Sequence, residues 1–169
     1  QMVSTDEKEY LAYPYYDAIF RYYLNDMEDM NMAYHTEITL EDTNTVLKLT
    51  AGTTYEYDEE ILAVANCDVY LIIGNQETKI GSIYSLGTAY PISYDSTGIY
   101  TAGPREISRY QVMPIDNELV LMETAVEEYN EHGDVSYTYG SAEDDTVDAS
   151  LQYQELREKY QRASVVNFK

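Results

Sequence analysis

Val69–Leu86 reads Val-Tyr-Leu-Ile-Ile-Gly-Asn-Gln-Glu-Thr-Lys-Ile-Gly-Ser-Ile-Tyr-Ser-Leu, and its punctuation decides the fold. Val69–Ile73 is apolar on both faces, Asn75-Gln76 carries turn chemistry, and a second run follows over Lys79–Leu86. A gap this short joins antiparallel neighbours, because a parallel crossover needs about a dozen residues. An apolar run of this kind is expected in the interior of a sheet, covered by a helix or a second sheet. The same grammar extends outward on both sides. Strands are predicted over Glu37–Leu40, Thr45–Thr50, Ile61–Ala65, Tyr90–Tyr94, Gly98–Thr101, Ile107–Met113, Leu119–Glu127 and Val135–Tyr139, separated by Gly, Asn, Asp and Pro.

Two helices flank them. Tyr15, Ala18, Ile19, Phe20, Tyr22, Tyr23, Met27 and Met30 recur at spacings of three and four, and Pro14 suits a first turn, so a helix is predicted from Pro14 to Met32. Asp148 is a candidate N-cap for a helix over Ala149–Arg162 with Leu151, Tyr153, Leu156 and Tyr160 facing inward. The expected fold is therefore α+β: an N-terminal helix, antiparallel meander sheets of about 8–10 short strands, and a C-terminal helix. Residues 3–169 read as one domain, with Gln1-Met2 as the remnant of a tag.

The chain has 169 residues with 31 acids against 10 bases, a net charge of −21. Such a surface repels phosphate, so no direct nucleic-acid partner is expected. No run approaches the roughly 18–20 apolar residues of a membrane-spanning helix, so a membrane is expected as a partner only through a lost lipid anchor. The single cysteine, Cys67, allows no internal disulfide, and the two histidines offer little to a transition metal.

Chemical motifs are sparse. Gly-x-Ser-x-Gly, Ser-x-x-Lys and a phosphate-cradling glycine loop are all absent. Cys67 sits between two apolar segments and reads as a buried, inert thiol. His132 reads as an exposed turn residue, and His35 as capping or solvated at a helix-to-strand junction. No cofactor is expected. Glu143, Asp144, Asp145 and Asp148 form the densest acidic cluster and the one candidate for a weakly bound divalent cation, although a solvated loop is the favoured reading because no glycine supplies a calcium-loop turn.

Tyrosine is the strongest compositional signal, with 20 Tyr against two Phe and no Trp. A phenol offers apolar area with a wet tip, suited to half-buried sheet faces and to interfaces. Tyr84, Tyr94, Tyr100, Tyr110, Tyr137 and Tyr139 are the candidate binding residues. Ordinary strand preference for aromatic rings is the simpler explanation for them. Arg105 and Arg109, nearly isolated among acids, are expected in internal ion pairs and are retained as candidates for gripping a partner's carboxylate. Charge is uneven: Gln111–Leu156 holds twelve acids and no Lys or Arg, whereas four of the ten bases lie in the last thirteen residues.

Tyr-Tyr-Asp-Ala-Ile-Phe-Arg-Tyr-Tyr (Tyr15–Tyr23), Leu71–Gly74, Ile83–Leu86, Gly98–Tyr100, Ser108–Tyr110, Glu118–Glu123 and Tyr153–Tyr160, in that order, resemble a broad group of uncharacterised exported proteins and lipoproteins of gut Firmicutes. The resemblance implies a leader ending in a lipid-modified cysteine and brings no catalytic residues. Members of that group often carry an Asp/Asn-Gly-Asp-Gly type loop suited to calcium, where this chain has Asn66-Cys67-Asp68 without the glycines. The expected function is a non-enzymatic binding module, extracellular or attached to the cell envelope, that recognises a protein or a glycan through a Tyr-rich sheet face and an acidic surface. A cytoplasmic acidic inhibitor that mimics nucleic acid is the first alternative, and a small carboxylate-dependent hydrolase the second.

Overall fold

Short connections leave adjacent strands no choice but to run antiparallel, and every strand pair in the computed structural model does so. The structure describes residues 33–142 and 148–169. Among these the order is β1 (Tyr34–Leu40), β2 (Thr45–Ala51), β3 (Tyr55–Asp58), β4 (Ile61–Ala63), β5 (Asn66–Ile73), β6 (Gln76–Tyr84), β7 (Ser93–Asp95), β8 (Gly98–Ala102), β9 (Glu106–Met113), β10 (Glu118–Tyr129), β11 (Val135–Ser141), α1 (Ala149–Arg162) and β12 (Ser164–Val165). They form a four-stranded sheet β1-β2-β5-β6, a six-stranded sheet β11-β10-β9-β8-β7-β12 and the small pair β3-β4.

This corrects the expected α+β class. The described residues make a mostly-β fold with a single helix, and the expected helix Pro14–Met32 lies outside them. The physical reason is where the main core forms. Period-two alternation sends Ile38 and Leu40 of β1, Leu47 and Leu49 of β2, and Cys67, Val69 and Leu71 of β5 to one face of the four-stranded sheet. They meet Ile99 and Val112 from the six-stranded sheet, with Tyr94, Tyr110 and Leu119 packed against the same cluster. The core is thus sheet on sheet. Each such aliphatic side chain contributes about 1.5–3 kcal/mol by leaving water. Where Leu119 crosses, Gly81 leaves no slack: a Cβ there would sit 3.1 Å from the leucine's Cδ2.

The second cluster lies on the other face of the six-stranded sheet, where α1 lays Tyr153, Leu156 and Tyr160 over Tyr100, Ala102, Ile107 and Ala125. Asp148 caps this helix, its carboxylate accepting from the Ser150 and Leu151 amides at 3.0 and 3.3 Å. Lys159 and Arg162 in the last turn complement the dipole. Removing the cap with Asp148→Ala is expected to cost about 1 kcal/mol, against a few tenths for Asp148→Gly, in a comparison of urea midpoints. Beyond α1 the tail is stitched down: Val166 donates to the Ile92 carbonyl and Phe168 to that of Leu62, burying both side chains in the inter-sheet core.

Candidate functional site

The candidate phenols divide among three environments. Tyr94 and Tyr110 pack against the inter-sheet core. Tyr100, Tyr137 and Tyr139 lie on the helix-covered face; Tyr100 is fully buried and its hydroxyl donates to Asp95 at 2.7 Å. Tyr137 and Tyr139 donate to Glu127 and Glu123 at 3.1 and 3.0 Å, and the Tyr137 ring meets Tyr153 at 5.2 Å. Tyr84 alone among the six is mostly exposed, at the end of β6. The expected single open tyrosine face is therefore not assembled, because α1 covers the face that carries three of the six and two more turn to the inter-sheet core.

Of the two arginines, Arg109 is in an internal ion pair, its Nε 2.6 Å from Glu123. Arg105 is exposed and stacks over the Tyr129 ring at 4.4 Å. Asp148 is committed to its cap, and Glu143, Asp144 and Asp145 lie outside the described residues. Among the described residues no group of three or more His, Cys, Asp or Glu is arranged to hold a metal ion. Cys67 is buried, and burial, reinforced by neighbouring Asp68, pushes its thiol far up from the ordinary range, disfavouring the reactive thiolate. His132 is exposed beside Gly133, and His35 lies exposed on β1.

A concave feature lies elsewhere. A cleft of about 250 Å³ opens where the C-terminal half of α1 passes the segment Ala89–Ser93, with Tyr57 of β3 across it. Tyr57, Tyr90 and Tyr160 supply its rings, and Arg157, Gln161 and Ser93 its polar groups. Tyr57 is about half exposed at 47%, whereas Tyr160 is 9% exposed and donates to the Pro91 carbonyl at 2.8 Å. Burial, together with the nearby phenols of Tyr55 and Tyr57, raises the Tyr160 pKa strongly. Tyr160 therefore stays a neutral donor at any physiological pH.

Arg157 is held by one nitrogen. Its Nη2 donates to the carbonyls of Gly103 and Pro104 at 3.1 and 3.2 Å and to the Tyr153 hydroxyl at 2.8 Å. Tyr55, near Tyr160, has its hydroxyl enclosed with no hydrogen-bond partner among the described residues, and burial with Tyr57 pushes its pKa up to about 12.

These cleft residues were visible only in part. Arg157, Tyr160 and Gln161 fall at helical spacings of three and four and share one side of α1. The sequence reading takes Tyr160 as a core residue, and nothing local ties it to Tyr57 about a hundred positions away.

Among the described residues the fold and this feature define a class: a mostly-β arrangement of two packed sheets, one helix on an outer face, and a lateral phenol-lined cleft at that helix. No protein-family model, curated protein or solved structure matches the chain.

Proposed function

We propose that the chain is a non-enzymatic binding module, acting outside the cell or at its envelope, and that the cleft between α1 and Tyr57 takes a ring of a glycan. The observation that carries this reading is the cleft's own make-up. A pyranose ring offers an apolar C–H face edged by hydroxyls, and the accessible phenols Tyr57 and Tyr90 with Gln161 and Arg157 match both features. The volume of about 250 Å³ suits one ring of a longer chain whose remainder stays in solvent. That favours a glycan over a folded protein partner, which would bury several hundred Å² per side. The carboxylates Glu123 and Asp95 are committed to internal contacts: Glu123 is tied to Arg109 and Tyr139, and Asp95 to Thr97 and Tyr100.

Tyr57 is the residue to change first, since it is exposed and its loss costs the core nothing. Tyr57→Ala is expected to weaken binding roughly tenfold, the worth of one aromatic contact, in a titration against an oligosaccharide array followed by calorimetry. Its thermal midpoint should match that of the parent. Turnover of an oligosaccharide, abolished by one carboxylate substitution, would reject a binding role in favour of hydrolysis.

A further inference from the structure

The composition of the cleft narrows the ligand further. The chain carries three acids for every base, yet among the described residues the cleft lining holds one cation, Arg157, and no Asp or Glu. This is an inversion of the surrounding charge at the one concave feature argued to bind. The guanidinium is half-buried and oriented through Nη2 by two carbonyls and the Tyr153 hydroxyl, so little side-chain freedom remains to be lost when a ligand arrives. Among the described residues those three oxygens are its hydrogen-bond acceptors, and all of them engage Nη2. A planar fork anchored at one nitrogen still presents further N–H donors, the geometry that a carboxylate accepts.

We propose that the cleft selects an acidic sugar, a uronic-acid residue of a glycan, with Arg157 gripping its carboxylate while Tyr57 and Tyr90 contact the ring. This rests on the glycan-binding reading above. The net charge of −21 opposes an anion at long range, but at physiological ionic strength screening acts over about 8 Å. Contact with Arg157 is screened far less than repulsion from acids across the molecule. A single uronate ring therefore binds on local terms, and a long polyuronate gains little from its additional charges.

The test compares trigalacturonate with its fully methyl-esterified form on the unmodified chain, by calorimetry or by chemical-shift titration. Esterification keeps the rings and removes the charge. The free acid is expected to bind at least tenfold more tightly, and Arg157→Lys, which keeps the charge without the fork, to lose most of that preference while still binding the ester. Because Arg157 also braces Gly103 and Pro104, the acid-to-ester ratio on the parent chain decides the matter without any variant. Equal affinity for the two forms overturns the acidic-sugar assignment and leaves the glycan reading standing. Binding of neither, with tight binding of an acetylated peptide bearing a free C-terminal carboxylate, overturns both.

Discussion

Glu123→Ala is expected to lower the unfolding free energy by about 3–5 kcal/mol, the usual cost of removing one partner of a buried ion pair. A reduced urea midpoint at unchanged slope would report it. Glu123 is 5% exposed. Its Oε2 accepts from Arg109 Nε at 2.6 Å, its Oε1 from the Tyr139 hydroxyl at 3.0 Å, and Lys159 of α1 reaches within 3.9 Å. The side chain thereby links β9, β11 and the covering helix, from a position in β10 just beyond the register shift at Leu121/Glu123.

Truncation leaves the Arg109 charge enclosed, with the Thr97 carbonyl at 3.4 Å as its remaining partner, and strips Tyr139 of its acceptor. Replacing both ends, Arg109→Met with Glu123→Leu, is expected to restore most of the loss, because an apolar pair of similar volume carries no desolvation penalty. A single-variant loss below about 1 kcal/mol would mean that water reaches the pair and that it behaves as a surface bridge.

How much of this architecture the sequence discloses depends on how local each feature is. Helix α1 is legible because its signals are adjacent: a capping aspartate, an apolar stripe and cations in the last turn. Leu151 is the exception on that helix. The apolar stripe assigns it inward, yet at 100° per residue it lies about 200° from Tyr153 and is 53% exposed. The turn residues likewise locate the hairpins, and Gly74 at φ 61° closes the one between β5 and β6.

Features set by distant partners are not legible. Strand β3 is masked by the acids Asp58-Glu59-Glu60, and its partner β4 is the only strand it pairs with among those described. Strand β7 begins at Ser93 rather than Tyr90, because Pro91 cannot donate to a ladder. Val69–Ile73 is interior in its sheet as its apolar character suggests, but only Val69 and Leu71 are buried; Tyr70 and Ile72 on the other face are half-buried, and Ile73 at the strand's end is exposed. Alternation assigns the tyrosines to two faces and is silent on which face a helix covers. That single long-range fact converts Tyr100, Tyr137 and Tyr139 from candidate ligand contacts into helix seating, and moves the concave site to the helix edge at Arg157 and Tyr160.

Asp95→Ala is expected to cost about 3 kcal/mol, since several hydrogen bonds to a charged acceptor disappear together and one of them leaves a buried hydroxyl unpaired. Asp95 Oδ1 accepts from the Thr97 amide and hydroxyl at 2.8 and 2.7 Å and from the Gly98 amide at 3.2 Å, shaping the turn between β7 and β8. Its Oδ2 accepts from the hydroxyl of fully buried Tyr100. The turn has no slack in which to compensate, because a Cβ on Gly98 would overlap the Tyr110 carbonyl oxygen.

Burial alone would raise the carboxyl's pKa, but the hydrogen bonds from Thr97, Tyr100 and Gly98 outweigh it and hold the group below the ordinary 3.8. A pKa depressed by folding stabilises the native state fully above the unfolded value, and that contribution fades as pH falls through the folded one. The stability difference between the parent and Asp95→Asn should accordingly hold constant from neutral pH down to about pH 4 and shrink below it. Unfolding curves at stepped pH would show this. A gap that persisted undiminished well below the ordinary carboxylate range would mean that the turn depends on the shape of the Asp95 side chain and not on its charge.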